Sequence, residues 1–360
     1  MKEFDELVKI IEDEISDGAF PGGNFAIITK DVTYIGSVGN KALVPSVEKN
    51  DVDTLYDMAS LSKVISTTMV AYKLMELGKL RTYTKVNKYL TRFKHDNVTI
   101  WNLMTHTSGL PEGVSGLLKL KNQDEVIDKI YELDLLYEPG STIKYSDVGY
   151  ILLGFICEKI TGKTLDELAF EYVFNPLSMK DTCYNPQDIK RCAPTELRND
   201  VFHQGIQRGD VHDETAFLLN GVAGSAGVFS TVSDVSNFIK MVLNDGVFED
   251  REVFSKQTIN LMYTPQVEEI SGVAKLGTTR GLGWLIGGLG GPLGDLASQN
   301  TIHHTGFTGT SMWIDRTNEI GFCLLTNRVH PTRNNPKHMD ARARISNYVI
   351  AHANKFKKIL

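Results

Sequence analysis

In the stretch MASLSKVISTTMV (58–70), Ser60 and Lys63 stand three residues apart, a spacing that places two side chains on one face of a helix. From Ala59 to Leu77 the residues are small, apolar or hydroxyl-bearing, with Lys63 the only charge before Lys73. A helix apolar on most sides is a buried one, so Lys63 is predicted to lie inside the protein. Burial disfavours the ammonium form, and the positive end of the helix dipole adds to the effect. The expectation is a lowered lysine pKa and an amine able to take the proton of the neighbouring hydroxyl, which makes Ser60 a nucleophile. The plainer alternative is that Ser60 caps the helix while Lys63 extends its stem to water. Ser46–Lys49 and Ser141–Lys144 share the spacing but not the setting: the first pair lies in a charged loop, the second in the turn after Pro139-Gly140.

Acyl transfer also needs a proton shuttle and donors for the oxyanion. YEPGSTIKYSDVGYILLG (137–154) places Tyr145 and Asp147 on a loop before an apolar run. Tyr145 can act as general acid and base if a cation such as Lys63 stabilises its phenolate. Alternatively Tyr145 packs against a sheet and Asp147 caps a helix starting near Gly149. NTIHHTGFTG (300–309) ends a strand on His303, His304, Thr305 and Gly306. Adjacent strand residues face opposite sides, so only one histidine faces a given cleft. Gly306 permits close backbone approach and leaves a backbone N–H free as an oxyanion donor. Neighbouring strand histidines do not readily ligate one ion, and His203, His212 and His330 have no H-x-x-x-H companion, so neither a metal nor a cofactor is predicted. His212, Asp213 and Glu214 either line the pocket or anchor a loop by hydrogen bonds.

Elements at both ends of the chain must position these groups. After an amphipathic helix with Leu7, Ile10, Ile11 and Ile15 at helical spacing, GGNFAIITKD and TYIGSVGN read as a hairpin turning at Lys30-Asp31. The far end has four candidate strands, at 280–288, 300–306, 309–316 and 319–328, the last two joined through Thr317-Asn318, and a closing helix at about 339–356. Between the ends the sequence is mostly helical, with helices expected at Thr99–Met104, Gln123–Leu133, Gly149–Thr161 and Thr231–Asn244, the last capped by Ser233 or Thr231. The predicted fold is α/β (α+β): an antiparallel sheet built from both termini and flanked by helices (1–78 and 225–360), interrupted by an all-helical insertion (79–224). The active site is expected where the two parts meet. GGLGGPLG (287–294) lacks a following GK[ST] and contains Pro292, so it reads as a turn and not a phosphate loop.

The chain has 360 residues, with 38 Lys+Arg against 44 Asp+Glu for a net charge of −6, a balance that gives no reason to expect nucleic acid or an anionic membrane as partner. No apolar run reaches the roughly 18 residues needed to span a bilayer, and the first helix lacks the continuous apolar core of a signal peptide. Cys157, Cys183, Cys192 and Cys323 show no metal-ligand spacing and fit reduced thiols in a cytoplasmic protein, with a Cys183–Cys192 bridge as the one alternative. The expected partner is a small-molecule or peptide substrate. Oligomeric state is left open.

Ser60-x-x-Lys63, Tyr145-x-Asp147 and His304-Thr305-Gly306, in that order, resemble the three motifs of the penicillin-recognising serine enzymes, within them the class C β-lactamase, DD-peptidase and esterase branch. NLMTHTSGLP (102–111), YSDVGYILLGFICEKITGKTLDEL (145–168), NPLSMKDT (175–182) and GVAGSAGVFSTVSDVSNFIKMVLNDG (221–246) are similar to family segments, so the resemblance covers about residues 15–350. It implies that Ser60 is the acylated nucleophile, that Lys63 and Tyr145 share the proton transfers, and that the backbone N–H groups of Ser60 and Phe307 form the oxyanion hole. His304 stands where many members have lysine, which would make the charge near a substrate carboxylate depend on pH. Asp147 replaces the more usual asparagine. GDVHDETAFLLNGVAGSAG (209–227) and HHTGFTGTSMWID (303–315) resemble a subgroup linked to amidases acting on peptidoglycan fragments. The resemblance therefore implies a serine hydrolase of amide or ester bonds in peptidoglycan-derived peptides or muropeptides. The alternatives are a β-lactamase and a penicillin-binding sensor that acylates without turnover.

Overall fold

The computed structural model describes residues 2–269, 278–287 and 291–357. Among them a sheet of nine strands runs in the spatial order Val267–Glu269, Thr278–Arg280, Leu285–Ile286, Thr301–Thr305, Ser311–Asp315, Ile320–Thr326, Gly22–Ile28, Thr33–Ala42, Glu48–Lys49, with every neighbouring pair antiparallel. The two termini meet at its centre, where Phe25 sits opposite Leu324 on one side and Gly36 on the other. A Cβ at Gly36 would come within 2.3 Å of the Phe25 ring, so glycine is what lets the ring lie over the neighbouring strand.

Period-two alternation sorts the central strands between two layers. Phe25, Ile27, Trp313, Phe322 and Leu324 pack against the terminal helices Lys2–Ser16 and His338–Ala351 through Leu7, Ile11, Ile345 and Val349. Ala26, Ile28, Met312, Ile314, Cys323 and Leu325 face the other way, onto Val235, Phe238 and Ile239 of the helix Val232–Leu243 and onto the buried segment that carries Lys63. That second core continues without a break into helices between 79 and 224, including Ile151, Leu152 and Ile156 of Asp147–Thr161.

Several sequence expectations change in detail. The strand expected at 280–288 is two short strands separated at Gly283, whose φ of +92° breaks the extended chain; its last residue lies outside the described residues, as do 288–290 of the glycine-rich 287–294 segment. The insertion is not all helical. Cys183–Tyr184 pairs with Val228–Ser230, which also pairs with Tyr56–Asp57, and Leu197–Asn199 forms a hairpin with Gln204–Ile206. Asp147 does not cap its helix: Ser146 does, accepting from the Gly149 N–H at 3.1 Å, and Asp147 is the first helical residue. Thr231 caps Val232–Leu243. All four cysteines are free thiols. No helix among the described residues is long and apolar enough to cross a membrane.

Candidate active site

Ser60 follows a bend that the chain holds under strain. Ala59 has φ +45°, a left-handed conformation costly for a residue with a Cβ. Its N–H donates to Asp57 Oδ1 at 2.8 Å, and the other carboxylate oxygen of Asp57 accepts from the His212 N–H at 2.7 Å. Met58 N–H donates to Val228 O at 2.9 Å, and the hydroxyls of Thr308 and Thr310 donate to the Asp57 and Met58 carbonyls at 2.7 and 3.1 Å. The strand end, the 211–214 loop and the 306–310 turn are thereby tied to the two residues before Ala59. Asp57 carries no sequence signal, because its partners are backbone groups, which leave no side-chain motif, and one of them lies 155 residues away.

The helix that follows is wide in its first turns: Lys63–Thr67 is π-helical, with the Thr68 N–H bonded to the Lys63 carbonyl, before α-helix takes over at Thr68–Glu76. Such turns are frequent at functional sites. Lys63 is 0% exposed. Its Nζ lies 2.9 Å from Ser60 Oγ, 2.8 Å from Ser225 O and 2.6 Å from Asp147 Oδ1. Two of these contacts are hydrogen bonds and the third is a close ion pair, in which Asp147 Oδ1 receives no hydrogen bond. Burial works against the charge, but the Asp147 carboxylate, with Tyr145 next, outweighs it and holds Lys63 above the ordinary lysine range. The expected lowering of the lysine pKa is thus reversed, since helix dipole and burial are overridden by a carboxylate 84 residues away in the chain.

Tyr145 donates its hydroxyl to Ser60 Oγ at 2.8 Å, so the serine oxygen receives bonds from both Tyr145 and Lys63. Burial raises the Tyr145 pKa and the Asp147 charge adds to this, while Lys63 pulls it down. The ring stacks on His106 at 4.6 Å between centroids, and Lys63 Nζ sits 5.0 Å from its centre. His106, held at φ +58°, accepts the Ser146 N–H on Nδ1 at 3.1 Å, which fixes the Tyr145-Ser146 backbone. It is buried and, by burial first and the nearby Arg280 and Lys63 charges next, neutral. The only trace of His106 in the sequence is its place in NLMTHTSGLP, which suggested a family segment but no role.

Gly306 lets the backbone leading to Phe307 pass close to the residues before Ser60. A Cβ there would lie 2.2 Å from Thr310 Oγ1 and 2.5 Å from Met58 O, so only glycine lets the 306–307 peptide pass beside the residues before Ser60. Among the described residues the N–H groups of Ser60 and Phe307 donate to no protein acceptor. Arg328 Nε–H donates to the Phe307 carbonyl at 2.9 Å and its guanidinium lies 4.5 Å from the ring centre, which orients that peptide. Gly306→Ala is expected to lower kcat about 100-fold by displacing the Phe307 N–H, with a smaller change in KM; steady-state kinetics on a reactive ester would show it.

The residues expected to share a site divide into two groups. Ser60, Tyr145, Asp147 and Phe307 line one cavity of about 240 Å³, together with His212, Asp213, Glu214, Glu112 and Arg333. Lys63 lies directly beneath it. His304 and Thr305 do not line that cavity. His304 is buried, its ring centre 6.4 Å from that of Tyr145, with Nδ1 3.0 Å from the Thr305 carbonyl. Burial, then Lys63 and Arg280, push its pKa well down, so it is a neutral ring and not the pH-dependent cation expected. His303 points to the opposite face, onto the Gly287 carbonyl. The 212–214 residues combine both alternatives: they line the cavity and anchor their loop, His212 through Asp57 and Glu196, Asp213 as cap of Glu214–Leu218, Glu214 through Arg198 and Arg333.

The beta-lactamase family model matches residues 4–346. A protein of Escherichia coli O157:H7 named "Putative D-alanyl-D-alanine carboxypeptidase" is 33% identical over 354 residues, covering 87% of this chain and 80% of that one. The N-acetylmuramyl-L-alanine amidase of Bacillus subtilis strain 168 is 31% identical over 370 residues, covering 91% and 82%. Among solved structures, EstCE1, a hydrolase with promiscuous acyltransferase activity, superimposes with a TM-score of 0.77 at 19% identity over 97% of this chain and 99% of that one, a likeness of fold.

Proposed function

The chain belongs to the beta-lactamase family, and from that premise we propose a serine hydrolase that acts through an acyl-enzyme on amide or ester bonds of peptidoglycan-derived peptides. The observation that carries this reading is the approach of Lys63 Nζ and Tyr145 OH to one serine oxygen, at 2.9 and 2.8 Å, beside two backbone N–H groups that donate to no acceptor among the described residues. The relatives named as carboxypeptidase and amidase support the substrate class.

Lys63 enters the reaction as a charge and not as the base, because Nζ already donates to Ser60 Oγ and to the Ser225 carbonyl and the ion pair with Asp147 stabilises the ammonium. The reactive form has lost one proton from Tyr145, whose phenolate Lys63 stabilises. Tyr145 takes the Ser60 proton as Oγ attacks the carbonyl, the Ser60 and Phe307 N–H groups receive the oxyanion, and Tyr145 then passes the proton to the leaving group. Water, activated by the same tyrosine, releases the acyl group.

Burial first and the Asp147 charge with it raise the Tyr145 pKa, and Asp147 also raises that of Lys63, so the active form lies at alkaline pH. With Asp147→Asn both pKa values fall and more phenolate exists at neutral pH. The acid limb of the kcat/KM profile is therefore expected to move to lower pH. A profile that stays in place, or moves to higher pH, would remove Tyr145 as the base. β-Lactam hydrolysis is the second reading, resting on the family assignment and tested with a chromogenic cephalosporin.

A further inference from the structure

Resting on that reading, we propose that the substrate portion entering the cavity beside Ser60 carries a primary ammonium group, received by Asp213. The favoured class is an amide or ester whose acyl part has a free amine, such as a peptide with a free amino terminus.

The charges around the cavity carry the argument. Its wall holds four carboxylates, Glu112, Asp147, Asp213 and Glu214, against one cation, Arg333. Arg333 is already paired through two of its three nitrogens: Nε is 2.7 Å from Glu196 and Nη2 is 3.3 Å from Glu214, which also takes Arg198 at 2.7 Å. Asp147 is matched by Lys63 at 2.6 Å. Glu112 stands at the exposed rim, 4.0 Å from Lys144. Asp213 remains. One of its oxygens accepts the Ala216 N–H at 2.7 Å, and among the described residues it makes no ion pair with any cation. Burial first, and the Asp147 charge second, raise its pKa to about 6, so an ionised Asp213 is a group that an arriving cation stabilises. A carboxylate in the same cavity would instead face Asp147, Asp213 and Glu214 against a single arginine already paired with two carboxylates. The wall thus selects an ammonium and rejects an acid.

The test compares alanine p-nitroanilide with its N-acetyl derivative, using wild type and Asp213→Asn, with p-nitrophenyl acetate and Ser60→Ala as controls. Asparagine caps a helix as well as aspartate does, so the variant is expected to fold. Wild type should show a kcat/KM about 10- to 100-fold higher for the free amine, the size of one charge-assisted hydrogen bond, and Asp213→Asn should bring that ratio close to one. A ratio unchanged by Asp213→Asn, a wild-type preference for the acetylated compound, or no cleavage of the amino compound while ester hydrolysis persists would each overturn the proposal. If the ester itself is hydrolysed equally by Ser60→Ala, the proposed hydrolase mechanism fails, and that outcome is distinct from failure of the ammonium preference.

Discussion

Ser60→Ala should lower kcat/KM on a reactive ester by about 10⁴- to 10⁶-fold and leave the fold intact. The loss is large because the tyrosine and the lysine both converge on Oγ and have nothing to act on without it. The protein should remain folded because Oγ is a recipient of two bonds and holds no other element in place. Alanine also leaves the strained Ala59 turn anchored by Asp57, so melting should stay within a few degrees of wild type or rise slightly, as expected where a site trades stability for function. Steady-state kinetics paired with thermal melting measures both quantities, and retained activity at normal stability would remove Ser60 from the chemistry.

Lys63→Met should lower activity by about 10³- to 10⁴-fold and should also destabilise the protein. Methionine fills much of the lysine volume, so the effect comes from charge. Tyr145 loses the neighbour that most lowers its pKa, while burial and Asp147, which raise it, stay. Breaking a buried ion pair on one side costs about 3 kcal/mol, toward the low end here because Asp147 is 25% exposed and keeps some access to water. The double variant Lys63→Met with Asp147→Asn separates the roles: stability should recover toward wild type while activity does not. Recovery of activity in the double variant would show that Lys63 is dispensable to the chemistry.

Much of this arrangement is legible in the sequence because its signals are local. Ser60 and Lys63 share a helix face by spacing alone, and the burial of Lys63 follows from the apolar run around it. The central sheet is legible because alternation and two turn signals, at Lys30-Asp31 and Thr317-Asn318, mark hairpins at opposite ends of the chain. What is not legible depends on partners far apart. The charge state of Lys63 is set by Asp147 across the cavity floor, and a reading confined to the helix reaches the opposite sign. Asp57, His106 and Arg328 act on backbone groups of residues 59, 212, 146 and 307, contacts that leave no motif. The neutrality of His304 follows from its burial between sheet and tyrosine, which its place in the motif does not reveal.

The central claim is that Ser60 becomes acylated. Intact-protein mass spectrometry after addition of p-nitrophenyl acetate, and separately of a simple penicillin, tests it most directly, with peptide mapping and Ser60→Ala alongside. A mass increase equal to the acyl group, mapped to Ser60 and missing in the variant, is the predicted result for the ester, and the lifetime of any penicillin adduct then distinguishes fast hydrolysis from a stable acyl-enzyme. An adduct of the same size on Ser60→Ala, or ester turnover by wild type that proceeds with no acyl-enzyme even when quenched within a single turnover, would contradict it.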